Sequence, residues 1–158
     1  WAHRFVGNFA RKPEGNDRAQ IMAVANGEAD IAIANSYYIG LMLSGKKGDE
    51  QRAAARKVNL HFPSQAGRGA HINVSGVGLM KNSPNKANAV KFIEFLLSDK
   101  AQEHIVNNTY EYPLSANIAP SDLIAQFGTG FKEDQTSVAD YGKFNPEAVK
   151  LMDRVGWQ

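Results

Sequence analysis

The chain has 158 residues, 43% of them hydrophobic and 22% charged, with a formal net charge of +2. That balance belongs to a globular protein with an ordinary core, and its basic residues are too scattered (Arg11-Lys12 and Lys46-Lys47 are the longest pairs) to make a nucleic-acid-binding patch. The absence of cysteine excludes thiolate metal sites, thiol nucleophiles and disulfides, and no apolar run approaches the ~20 residues needed to span a bilayer.

Trp1 to Val6 reads as the interior of a folded element. Asn16 or Asp17 caps a helix that runs through Ala25, with apolar Ile21, Met22 and Val24 and a stop at Gly27. An alternating small-apolar strand over 30–34 leads into Asn35-Ser36, polar residues that open a helix ending near Ser44-Gly45. Lys46 to Glu50 is a charged turn, Gln51 to Lys57 a short helix, and Leu60 to Pro63 a strand closed by its proline. A polar connection, Ser64 to Arg68, precedes the period-two stretch 72–79, whose glycines suggest a bend or a close backbone approach. Asn82 to Asn85 starts a helix with Ala89, Val90, Phe92, Ile93 and Leu96 on its core face. Asp99 caps the next helix, to about Val106; Pro120 to Phe127 is a short helix or loop; Asn145-Pro146 caps a final helix through Val155. No internal repeat or low-complexity linker interrupts this order.

The chemistry concentrates at Tyr37 and Tyr38. Both phenols fall on the first turn of a helix at the carboxyl end of a strand, where open α/β sheets place their ligand clefts. Deprotonated, they are two hard oxygen donors of the kind a trivalent cation such as Fe³⁺ favours. Tyrosine ionises near pH ~10 in water, so only a strong nearby cation would hold both as phenolates at neutral pH. The alternative is a pair of half-buried packing residues. His3, His61, His71 and His104 show no i, i+4 pairing, and His71, Tyr110, Tyr112 and Tyr141 read as packing residues. Ser36 is a cap rather than a nucleophile. The glycine-rich stretch 67–78 lacks both a Walker lysine and dinucleotide-binding spacing, and no matched acid, base and nucleophile supports an enzyme.

Several segments, taken in order, extend the reading beyond the dipeptide. They are Gly15-Asn16-Asp17-Arg18-Ala19-Gln20, Asn26-Gly27-Glu28-Ala29-Asp30, Asn35-Ser36-Tyr37-Tyr38-Ile39-Gly40, Gly69 to Leu79, Ala89 to Ser98 and Tyr110-Glu111-Tyr112-Pro113-Leu114. Together they resemble the ferric-iron-binding periplasmic proteins of bacterial ABC importers, within the type II solute-binding superfamily. The resemblance covers nearly the whole chain and implies an α/β fold of two lobes joined by crossover strands, of which this chain is the second half. Residues 1–67 and 119–158 would form the C-terminal lobe, and residues 68–118 would cross into the N-terminal lobe, whose first half is absent. Without that half, the apolar face of the 86–97 helix would be exposed.

The resemblance also implies a role for each site residue. Tyr37 and Tyr38 would ligate Fe³⁺, the remaining ligands would come from the other half, and a carbonate or phosphate would fill open positions. Asn16 and Asn35 match the positions that hold this anion, an amide beside a helix N-terminus being suited to an oxyanion, although plain helix capping serves them equally. Arg18 could neutralise a phenolate or the anion from behind, or be a solvated helix residue. The partner implied is an ABC permease of the inner membrane, and the compartment the periplasm. The alternatives are a relative for an organic anion, sugar or polyamine, and an enzyme on the same fold.

Overall fold

The computed structural model describes residues 1–157. Among these, eight helices form: α1 (Ala2–Val6), α2 (Asp17–Ala25), α3 (Ser36–Leu43), α4 (Asp49–Ala55), α5 (Lys86–Leu96), α6 (Asp99–Thr109), α7 (Asp122–Ala125) and α8 (Val138–Val155). Local chemistry explains α2 well. Asn16 sits in extended geometry and its side-chain oxygen accepts the Ala19 N–H at 3.2 Å, which caps α2. Gly27 takes φ +78 just past the end of α2, the left-handed turn that glycine adopts most readily.

Helices α2, α3, α4 and α7 pack on one another around Ile21, Ile39, Met42, Ala54, Ala55, Tyr110 and Ile124, with Met42 and Ile124 fully buried. Gly40 makes this packing possible. A Cβ there would stand 2.7 Å from Tyr110 Cβ and 2.9 Å from Ile124 Cδ1, so α3 can lie this close to Tyr110 only through a residue with no side chain. Tyr110 itself ends α6 in the left-handed region, at φ +65. These contacts hold the tyrosine-bearing turn of α3 on a rigid base.

Three helices have boundaries that differ from the sequence expectation. Helix α4 starts at Asp49 instead of Gln51, placing Asp49 and Glu50 on the positive end of the helix dipole. Ser98, not Asp99, caps α6 through its hydroxyl; Asp99 instead accepts bonds from Ser115 Oγ at 2.9 Å and Asn117 Nδ2 at 3.4 Å, and the helix runs on to Thr109. The final helix does not begin at Asn145-Pro146. It begins after Ser137, and Pro146 lies inside α8. An interior proline removes one i→i−4 bond, here to the carbonyl of Gly142, at a cost of about 3 kcal/mol; the rest of the 18-residue helix absorbs it.

The expected strands are present as paths but not as a sheet. Residues 31–35, 58–64 and 71–80 lie outside any helix and outside any ladder, and the one β pairing among the described residues is a parallel bridge between Ala70 and Glu133. The alternation expected over 30–34 is nonetheless real: Ala32 and Ala34 face inward while Ile31 and Ile33 are 84% and 72% exposed. A strand needs a neighbour to satisfy its N–H and C=O groups, and no other described segment pairs with these in a ladder. Helix α5 packs on α6 yet buries none of its residues, and Val90, Phe92 and Phe95 stay exposed, as the sequence led one to expect.

The bridge is reinforced around it. Ala70 N–H donates to the Lys132 carbonyl at 2.9 Å, Asp134 N–H donates to the Ala70 carbonyl at 2.8 Å, and Arg68 pairs with Asp134 at 2.5 Å. Gly69 takes φ +100 and passes so close to Glu133 that a Cβ would lie 2.5 Å from its carbonyl carbon. A second anchor is aromatic: Phe62 stacks on Phe131 with centroids 3.9 Å apart, and Tyr112 meets both edge-on while its hydroxyl donates to the Gly128 carbonyl at 2.9 Å. His71 packs on Tyr141 at 5.1 Å.

Candidate functional site

Tyr37 and Tyr38 stand on the first turn of α3, where the Tyr38 N–H already bonds back to the Asn35 carbonyl at 3.2 Å. Successive helical residues normally diverge by ~100°. Here the two rings stay together, with centroids 4.5 Å apart and planes inclined by 40°. Both are half-buried against the core cluster, so the packing function that the sequence allowed for them is also met.

The electrostatics of the pair are unusual. The Tyr37 phenol is pushed up to about 12, first by burial, then by the adjacent Tyr38 hydroxyl and the charges of Asp17 and Glu111. Every one of these influences disfavours phenolate. At neutral pH the free protein therefore keeps this proton, and the local field of two carboxylates favours an incoming cation. Elsewhere the opposite occurs. Burial opposes ionisation of Tyr110, but the Lys46 ammonium and the Ser44 hydroxyl outweigh it and lower its pKa. Lys46 Nζ lies 5.1 Å from the Tyr110 ring centroid.

Asp17 does more than add charge. Its Oδ1 accepts from both the backbone N–H of Asn35, at 2.8 Å, and the Asn35 side-chain amide, at 3.1 Å. The oxygen of Asn35 accepts from Asn73 Nδ2 at 2.8 Å. Asn35 is thus the residue that precedes α3, but its side chain does not cap it. On the same extended segment as Asn73, Ser75 Oγ donates to Glu111 Oε1 at 2.6 Å. The sequence offers Asp17 only as an alternative cap for α2, and Asn73, Ser75 and Glu111 carry no local signal for this site.

The remaining sequence candidates are dispersed. Asn16 spends its side-chain oxygen on the α2 cap. Arg18 donates to Gln51 Oε1 at 3.1 Å, bridging α2 to α4. His104 is exposed on α6, and His61 lies beside the Phe62–Phe131 stack, in an open groove of about 400 Å³. Among the described residues, no three His, Asp or Glu side chains group closely enough to hold a metal ion. No described helix is long and apolar enough to cross a membrane.

Comparison with known proteins places these features in context. Residues 7–103 match the family described as bacterial extracellular solute-binding protein. Iron uptake protein A1 of Synechocystis sp. is 49% identical over the whole chain, which covers 43% of that relative. Among solved structures, the Trichodesmium protein IdiA (FutA) in complex with iron and citrate aligns with TM-score 0.95 and 51% identity, over 100% of this chain and 49% of its own. The ferric binding protein from Campylobacter jejuni aligns with TM-score 0.92 and 39% identity, again over 100% of this chain and 49% of its own. The chain spans about half the length of the relatives it matches.

Proposed function

Since the chain belongs to the bacterial extracellular solute-binding proteins and takes the type II α/β architecture of its solved neighbours over about half their length, we propose that it is the second half of a periplasmic protein that captures ferric iron and delivers it to an ABC permease. The observation that carries the reading is the Tyr37–Tyr38 pair, two adjacent half-buried phenols at a helix start, with ring centroids 4.5 Å apart. The iron named for the Synechocystis, Trichodesmium and Campylobacter relatives supports it. A solute-binding protein of this family binds its cargo unchanged, and nothing in the site calls for catalysis.

On this reading Fe³⁺ is the substrate, and Tyr37 and Tyr38 give up their protons to bind it as phenolates. The remaining ligands come from the complementary half, which would also cover the apolar faces of Ile31, Ile33 and α5. Residues 1–67 and 119–158 make up one lobe and residues 68–118 reach into the other, so that closure on the cation would be the signal the permease reads. An accessory carbonate or phosphate would find the Asn16 amide at the start of α2. Asn35 would have to release Asp17 before offering its own amide, and Arg18 would have to release Gln51.

The test is a visible titration of the full-length protein with ferric citrate. Phenolate-to-iron charge transfer should colour the complex red to purple, and the band should vanish in Tyr37→Phe/Tyr38→Phe while the fold is kept. A band that survives the double substitution would overturn the assignment.

A further inference from the structure

The side chain of Asn35 is held at both ends, and its orientation is forced. A carboxylate can only accept, so Asp17 requires the Asn35 amide nitrogen, and this leaves the Asn35 oxygen for the Asn73 donor. An asparagine just before a helix normally turns that oxygen onto the helix's own free N–H groups. Here it is diverted to a residue 38 positions away, which indicates a link between segments rather than a cap.

Asn73 lies on residues 71–80, which run without a turn or bend. Residues two apart on such a path project to one side. Asn73 and Ser75 do so: the first bonds the residue that precedes Ser36 and the two tyrosines, the second bonds Glu111. The segment is therefore fastened at two points, one of them on the residue that leads into the tyrosine turn.

We propose that Asn73 is a positioning residue for the tyrosine pair, acting through the Asp17–Asn35–Asn73 hydrogen-bond chain to set the orientation of Tyr37 and Tyr38 relative to the 71–80 segment. The inference rests on the reading of the pair as iron ligands. If the turn carrying both phenols is fixed to this segment, iron binding and the placement of the segment are one equilibrium. Loosening the link leaves both ligands in place but adds orientations in which they do not converge on one ion.

The experiment uses the full-length protein with ferric ion in competition with citrate, and compares Asn73→Ala, Asn73→Asp, Asn35→Ala and Asn35→Ala/Asn73→Ala. Asn73→Asp keeps the shape of the side chain and removes its donor, so it serves where truncation disturbs folding. The expected result is iron retention about fivefold to tenfold weaker in each Asn73 variant, the loss of one hydrogen bond. The charge-transfer maximum should shift, with the unfolding midpoint of the iron-free protein unchanged, since Asn73 is exposed. The double variant should be no worse than Asn35→Ala, because both act in one chain. Wild-type affinity and an unshifted band in Asn73→Asp would overturn the inference, as would strictly additive losses. A wild-type protein with no band at all would instead overturn the reading of the pair as ligands, and the inference with it.

Discussion

Gly40→Ala tests whether the tyrosine turn is held by close packing. The new Cβ would lie 2.7 Å from Tyr110 Cβ and 2.9 Å from Ile124 Cδ1. The second contact is with the end of a flexible side chain that can rotate away. The first is with an atom fixed to the backbone, so α3 or Tyr110 must move. Overpacking of this kind costs about 1–3 kcal/mol, and the fixed partner places it toward the upper end. Against it stands the helix preference of alanine over glycine, about 1 kcal/mol. The net is a destabilisation of about 1–2 kcal/mol. Gly142→Ala provides the control: it is also inside a helix, a Cβ there meets nothing within 4 Å, and only the propensity gain remains. Denaturant unfolding of the full-length protein should show the midpoint falling in the first variant and holding or rising in the second, with the slope unchanged. Because α3 also carries Tyr37 and Tyr38, iron retention should weaken in Gly40→Ala and not in Gly142→Ala. If Gly40→Ala is as stable as Gly142→Ala, the packing argument for this turn is wrong.

The pH dependence of iron binding follows from the direction of the Tyr37 shift. With its pKa raised to about 12, the phenol is protonated in the free protein throughout the neutral range, and binding as phenolate must release the proton. Apparent affinity should therefore rise with pH, about tenfold per unit for each proton released; ferric competition measured from pH 6 to 8, with proton release followed in weak buffer, checks this, and a flat profile refutes it. Gly69→Ala combines a backbone at φ +100 with a Cβ 2.5 Å from the Glu133 carbonyl carbon. Its expected cost is about 2 kcal/mol or more, with loss of amide-exchange protection at Ala70 and Asp134; protection equal to wild type would show that the Ala70–Glu133 bridge does not depend on this approach.

What could be read along the chain was whatever depends on near neighbours. The cap at Asn16, the stop at Gly27 and the placement of the phenols on the first turn of α3 all follow from residues within a few positions of one another. The misreading of α8 shows the same rule failing: Asn145-Pro146 has the local form of a helix start, but Ser137 caps eight residues earlier and the accumulated bonds of the longer helix outweigh one missing rung. The environment of the phenols is different in kind. Asp17 reaches Asn35 across 18 positions and Asn73 reaches it across 38, and neither partner has any reason to be special except that the fold brings it there.

The absent ladder belongs with this second group. Ile31 and Ile33 alternate with Ala32 and Ala34 as strand residues do, yet whether a strand is laddered depends on what lies beside it and not on the strand. Helices satisfy their own backbone, whereas a ladder needs a second segment, and among the described residues the extended paths have no such partner. The phenols follow the logic of the strands. Two oxygens do not fill the coordination sphere of a trivalent cation, so on the proposed reading the same complementary half that would pair 30–34 would also complete the site. Adding that half to this chain should then restore a ladder at Ile31–Ile33 and the charge-transfer band together. Recovery of the band without protection of the Ile31 and Ile33 amides would show that the two deficits have separate causes.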